Sequence, residues 1–168
     1  TAYEIRPRDW SSEVCSSDLV LDAVAEPGPA ARGVLQALRG AVRFDWGAVL
    51  RFVTNGHESA TVEVVAAHPA AMAGVGRGVA WSPPDPAQIA VLASGEPELT
   101  VHLGDERGAH SPLRRMPAFG MRSRIHVPLY DGASVVGAVV LYAAGEPLGV
   151  HEGMTAERIV RPDRKSTR

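Results

Sequence analysis

The residues best suited to chemistry lie in one alternating stretch, Arg122 to Tyr130, where Arg122, Arg124, His126 and Pro128 fall on one face and Ser123, Ile125, Val127 and Leu129 on the other. If the first face lines a pocket, the guanidinium of Arg124 and the imidazole of His126 suit a carboxylate or phosphate, through charge-assisted hydrogen bonds. The competing expectation is that both face solvent or another protomer, because charged side chains are mostly exposed. Trp81 and Tyr142 offer flat rings for stacking on a planar ligand, and the competing role for each is core packing. Trp81, Arg124, His126 and Tyr142 are therefore the candidate ligand-binding residues.

The other reactive residues do not converge on a recognisable site. His57, His68, His102, His110, His126 and His151 are scattered without tight spacing, so neither a metal nor another cofactor is expected. Gly74-Val75-Gly76-Arg77-Gly78 superficially looks like a phosphate loop, but it has no following helix and no Lys-Ser/Thr ending, which leaves a flexible loop. Asp105-Glu106 pairs two carboxylates in a stretch that a solvated loop explains, and Arg114-Arg115 is expected at the surface. A Ser-His-Asp triad is recognised by geometry and not by spacing. No set of catalytic residues emerges.

The elements that must position these residues follow from periodicity. From Pro29 the residues Ala31, Leu35, Leu38 and Val42 form the stripe of an amphipathic helix. Trp46 to Thr54 and Ala60 to His68 are two strand-like runs around Asn55-Gly56-His57, a hairpin signal. Pro69 to Pro84 is Gly-rich and predicts a loop. Asp85-Pro86 starts a short helix that Gly95 and Pro97 stop. Glu98 to Leu103 predicts a short strand, and Gly104 to Gly120 a loop with one helical turn near Leu113 to Met116. Asp131-Gly132 turns the Arg122 to Tyr130 strand into Ser134 to Ala144. There Val135, Val139 and Leu141 are expected on one face and Val136, Val140 and Tyr142 on the other, as in a strand covered on both sides. Glu152 to Val160 predicts a final helix. This order predicts an α+β domain built on an antiparallel sheet.

Composition narrows the function classes. The 168 residues carry 17 basic and 19 acidic side chains for a formal charge of -2, which supplies no basic field for nucleic acid or an anionic membrane. No apolar run approaches about 20 residues, so no transmembrane helix is expected. The ends are expected to have a different origin, the competing reading being a natural Ser-rich leader and a basic tail. Asp163 to Arg168 can be encoded by a DNA segment whose reverse complement encodes Val-Cys-Ser-Ser-Asp, the residues at Val14 to Asp18. Inverted repeats of this kind flank inserts in short-read libraries, and the DNA resembles a common sequencing adapter. Residues 1–19 and 163–168 are accordingly expected to be adapter-derived, 1–19 disordered, with 20–162 a single domain whose last helix is truncated. Without the ends the charge stays at -2, while the only cysteine, Cys15, and the only lysine, Lys165, both disappear. Thiol and lysine Schiff-base chemistry are then excluded for 20–162.

A family pattern runs through the middle segment. Leu92-Ala93-Ser94-Gly95-Glu96-Pro97, Gly120-Met121-Arg122-Ser123, Val127-Pro128-Leu129, Gly132, Val136-Gly137-Ala138-Val139 and Glu146-Pro147 together resemble the GAF domain, a sensory module of signalling proteins. The resemblance covers about residues 29 to 160. It implies a central antiparallel sheet of five or six strands, helices packed on one face and a pocket and loop region on the other. Arg124 and His126 depart from a strand that GAF domains usually keep apolar on both faces. Absence of lysine and cysteine from the insert argues against cyclic-nucleotide binding, covalent tetrapyrrole attachment and methionine-sulfoxide reduction, all known in the family. The resemblance thus implies a non-catalytic, cytoplasmic sensory or regulatory domain of a bacterial signal-transduction or transcription-regulatory protein. Its implied partners are an unidentified small molecule, a second copy in a homodimer and an output domain missing from this fragment, with no direct contact to nucleic acid or membrane. The alternative is a ligand-free structural dimerisation module, and a remote one is a small hydrolase using His126 or Asp105.

Overall fold

A computed structural model describes residues 29–54, 60–69, 71–72, 74–104 and 111–161. The segments 1–19 and 163–168, the Asn55-Gly56-His57 turn, and Asp105, Glu106 and His110 lie outside the described residues. Helix α1, Pro29–Arg39, buries Ala31, Val34, Leu35 and Leu38, the spacing of one helical face, and places Arg39 in its last turn, where a cation suits the helix dipole. Strands β1 (Trp46–Thr54) and β2 (Ala60–His68) form the expected antiparallel hairpin.

The segment expected as a loop after His68 contains three two-residue strands: β3 (Ala71–Met72), β4 (Val75–Gly76) and β5 (Ala80–Trp81). Strands this short have no periodicity to betray them, and β5 exists because Ala80 and Trp81 pair with Glu63 and Val62 of β2. Helix α2, Pro86–Ser94, begins at a proline whose missing N–H costs nothing there, and ends at Gly95. Gly95 has φ 67°, and its N–H reaches the Val91 carbonyl at 2.8 Å. Strand β6 is Glu98–Thr100, shorter than the expected run to Leu103. The single helical turn expected near Leu113 is an eight-residue 3-10 helix, Pro112–Phe119, which buries Leu113 and Met116. Strands β7 (Ser123–Asp131) and β8 (Ser134–Ala143) follow, then helix α3, Val150–Val160.

Six strands form one antiparallel sheet in the order β5-β2-β1-β8-β7-β6. Strands β1 and β8 lie at its centre, which is why Trp46 to Leu50 and Gly137 to Ala143 are buried on both faces. One face carries α1 and α3 over Val49, Val65, Ile125, Val127, Val139 and Leu141. The other carries the connections and the 3-10 helix over Trp46, Leu50, Val64, Val140 and Tyr142, with Trp81 also buried in that layer. Helix α2 packs against β6, β7 and β8.

Strand β8 departs from the expected alternation. Val136, and not Val135, packs with Val139 and Leu141, while Val135 joins the layer of Val140 and Tyr142. The cause is a bulge: Leu129 pairs with Gly137 and Tyr130 with Val135, so Val136 is an extra residue that inverts the phase. Gly137 beside it is required by close approach. A Cβ there would overlap the Leu50 carbonyl oxygen of β1, and backbone of a central strand cannot swing aside as a side chain can.

A buried polar row on the loop-facing side of the sheet

Directly paired residues of neighbouring strands project to the same face of a sheet. Strand register therefore fixes two rows. Thr100, Arg124, Tyr142 and Trp46 are paired in succession across β6, β7, β8 and β1. One step along, Glu98, His126, Val140 and Ala48 are paired in the same way. The apolar ends of both rows belong to the loop-facing core, so Arg124 and His126 point into that layer. They are 6% and 1% exposed, which overturns the expectation that they face solvent or another protomer.

Their burial is compensated by residues that no sequence pattern marks. Arg124 Nη2 donates to Thr100 Oγ1 at 3.0 Å and lies 3.4 Å from Glu98 Oε2. The Thr100 hydroxyl donates in turn to Glu98 Oε2. His126 Nδ1 is 3.2 Å from the other carboxylate oxygen, Glu98 Oε1. Burial pushes the Glu98 carboxyl up, but hydrogen bonds from His126 and Thr100 and the charge of Arg124 outweigh it and hold the carboxyl at about 2. Burial pushes the His126 imidazole down from its ordinary value, and the neighbouring Arg124 cation adds to that, against the opposing pull of Glu98 and Asp85. The pair is thus an ionised carboxylate and a neutral imidazole. The positive charge that was to attract an anion already stands beside Glu98.

Helix α2 brings its own buried polar groups to this layer. Gln88 is fully buried, and its Oε1 accepts from the Asp85 backbone N–H at 2.8 Å and from Trp81 Nε1 at 3.3 Å. The Asp85 carboxylate accepts from Ser111, whose N–H lies 3.3 Å from Oδ1 and whose hydroxyl donates to Oδ2. Asp85 therefore ties the start of α2 to the start of the 3-10 helix. Among the described residues His126 Nε2, Gln88 Nε2 and Trp46 Nε1 are buried without a hydrogen-bond partner.

Of the four candidate residues, the sheet brings Arg124, His126 and Tyr142 together. The Tyr142 ring is 1% exposed and packs on Trp46, with ring centroids 5.9 Å apart and planes tilted by 59°. Trp81 lies on β5, the sheet edge opposite β6, and is linked to this layer through Gln88. A groove of about 370 Å³ lies elsewhere, lined by Arg39 to Phe44 where α1 turns into β1. Among the described residues no group of three His, Cys, Asp or Glu side chains is placed to hold a metal ion, and no helix is long and apolar enough to cross a membrane.

Comparison with known proteins follows the fold. The GAF domain profile matches residues 26–161. Curated proteins give no match. Among solved structures, the GAF domain of a two-component sensor histidine kinase from Bacillus halodurans superposes with a TM-score of 0.58 at 12% identity, covering 77% of this chain and 87% of that one. A GAF domain/HD domain protein from Geobacter sulfurreducens gives 0.58 at 16% identity over 93% and 92% of the two chains. The chromophore-binding domain of a bacteriophytochrome from R. palustris gives 0.57 at 14% identity, over 86% of this chain and 57% of that one. With its six-stranded antiparallel sheet, terminal helices on one face and a profile match over most of its length, the chain belongs to the GAF domain family.

Proposed function

We propose that this chain is the sensory or regulatory domain of a bacterial signal-transduction or transcription-regulatory protein, and that it binds a small molecule between the loop-facing side of the sheet and its cover. The observation that carries this reading is the row Glu98, His126, Thr100 and Arg124, a polar cluster set into a face whose other positions are apolar. Burying such groups is costly, and packing alone would be served by apolar side chains. The similar histidine kinase and bacteriophytochrome domains favour a sensory role, and the domain itself carries out no catalysis in this reading. A cytoplasmic location, a homodimer and coupling to an output domain belong to the same reading. The ligand acts by favouring one arrangement of the terminal helices, which requires different affinity for the two arrangements.

A thermal-shift screen of small metabolites tests this, since a ligand that binds only the folded state raises its apparent stability by about 2.7 kcal/mol at a hundredfold excess over Kd. A hit whose shift is lost in Arg124→Met supports a site on this face. A second reading, a ligand-free dimerisation module, is favoured by Val150 and Met154, which are 69% and 56% exposed one turn apart on α3. For that reading the screen yields no hit, and light scattering shows a dimer that Met154→Ser weakens.

A further inference from the structure

The two arginines at the corner between α1 and β1 differ from those of the sheet. Arg51 is matched by the Glu63 carboxylate on the paired strand, and Arg124 by Glu98. Arg39 and Arg43 have no carboxylate within ion-pair distance among the described residues. The nearest carboxylate along the chain, Asp45, accepts from the Ala144 N–H at 2.7 Å. Both arginines line the groove of about 370 Å³ that runs from Arg39 to Phe44, a volume on the scale of small-ligand sites.

One of these cations is positioned without being neutralised. Arg39 Nη1 donates to Nε2 of His68, the last residue of β2, which lies opposite Gly47 of β1. A guanidinium has donors only, so His68 Nε2 supplies a lone pair and the ring that anchors Arg39 is uncharged. The Arg39 fork is thereby oriented while its charge stays uncompensated, and its Nε and Nη2 donors remain for a ligand. The rest of the groove is held by the fold. Carbonyls of Gln36 and Leu38 accept from the N–H groups of Gly40, Ala41 and Val42, which fixes the turn. The half-buried Phe44 ring lies against Gly47, where a Cβ would come within 2.9 Å of Phe44 Cε2.

Two uncompensated guanidinium groups on one groove match a ligand group with two negative charges and several acceptor oxygens. A carboxylate or sulfonate brings one charge, whereas a phosphomonoester brings about −1.5 to −2 at pH 7 and presents oxygens that arginine forks engage in pairs. We propose that the groove between α1 and β1 binds the phosphomonoester group of a small molecule, held between Arg39 and Arg43, with His68 as the positioning residue for Arg39. This site lies on the helix-bearing side of the sheet, where Val42 and Phe44 join the core, and is separate from the polar row around His126.

The test is an NMR titration of the full chain at pH 7.5 with phenyl phosphate and with benzenesulfonate, which has the same ring and a tetrahedral head but one charge. Phenyl phosphate is expected to shift the amides from Gly40 to Phe44 and the Nε–H signals of both arginines, and to bind about fivefold or more tightly than the sulfonate. Arg39→Gln and Arg43→Gln, both at exposed positions, are each expected to weaken it about fivefold, while Arg32→Gln, exposed on the same helix but outside the groove, leaves it unchanged. His68→Leu is expected to weaken binding and to merge the Arg39 and Arg43 Nε–H signals of the free protein, and His68→Gln, which restores an acceptor, to recover both. A phosphoserine peptide that binds more tightly than phenyl phosphate still supports the site and assigns its phosphate to a modified protein. Equal binding of phosphate and sulfonate, an equal loss in Arg32→Gln, or no binding at millimolar concentration overturns the proposal. Shifts centred on β6 and β7 overturn it in favour of the loop-facing site.

Discussion

Mild acid is expected to loosen this fold through a single imidazole, and the structure sets the direction of the effect. His126 is buried neutral, faced by Glu98 from β6, by Arg124 from its own strand and by Asp85 at the start of α2. Its folded-state pKa is lowered, so on acidification the unfolded chain takes up a proton that the folded chain refuses. Stability contributed by the neutral ring is complete well above the ordinary histidine value near 6.5 and is lost as pH falls below it. One proton held only by the unfolded chain costs about 1.4 kcal/mol per pH unit, so between the ordinary value near 6.5 and pH 5 the loss has an upper limit of about 2 kcal/mol. Against a domain stability of about 5–15 kcal/mol this is readily measured. Glu98 has the same sign in a lower window: held at about 2, it adds a second loss between the ordinary carboxylate range and that value, because the unfolded carboxyl is protonated first. Urea midpoints at half-unit steps from pH 7.5 to 5, for the parent chain and for His126→Phe, isolate the first limb, since every other titrating group is common to both. The variant is expected to show a flatter profile over that range, by up to about 2 kcal/mol, whatever its stability at pH 7.5. Parallel profiles would refute a buried neutral imidazole.

Other substitutions test the frame around the row. Gly137→Ala is expected to cost about 1–3 kcal/mol in urea unfolding despite the better strand propensity of alanine, because its Cβ meets the Leu50 carbonyl in the central strand pair. Ser111→Ala removes a donor to Asp85 and the side-chain cap on the Leu113 N–H, 3.2 Å away. A loss of about 1–2 kcal/mol in thermal unfolding is expected. Tyr130→Phe deletes the hydroxyl that donates to the Gly95 carbonyl at the end of α2 but keeps the ring over which Arg161 lies, 3.8 Å from its centroid. Hydrogen exchange is expected to quicken at the end of α2 and not at the end of α3, whereas Tyr130→Ala quickens both.

The long elements were legible because each is amphipathic or doubly buried over many residues. Ala31, Leu35 and Leu38 mark one helical face, and the run from Val139 to Ala143 has no polar side to show, which is the signature of a strand covered on both faces. What was illegible is short or phase-shifted. Strand β5 is two residues long and is defined by its partner β2, and the extra residue Val136 inverts the faces of a strand whose alternation otherwise reads cleanly. Neither is encoded in a local period.

The candidate site was half legible for a related reason. Arg124 and His126 stand out because they interrupt an apolar alternation within one strand, and that alternation correctly put them on one face. Glu98 and Thr100 do not stand out, since a three-residue strand shows no pattern and their pairing spans 24 to 28 residues of intervening chain. Yet these two decide the chemistry. Considered alone, an arginine and a histidine on one face make an anion receptor. With a carboxylate inserted between them, the arginine is matched, the histidine is locked as a neutral acceptor, and the inward-facing atom changes from a donor to a lone pair. The chemistry of this polar row is thus set by the neighbour strand as much as by the residues that break the pattern. An uncompensated cation at this depth would carry a desolvation cost of several kcal/mol, so a buried arginine on a sheet face is itself a reason to look for a carboxylate on the adjoining strand.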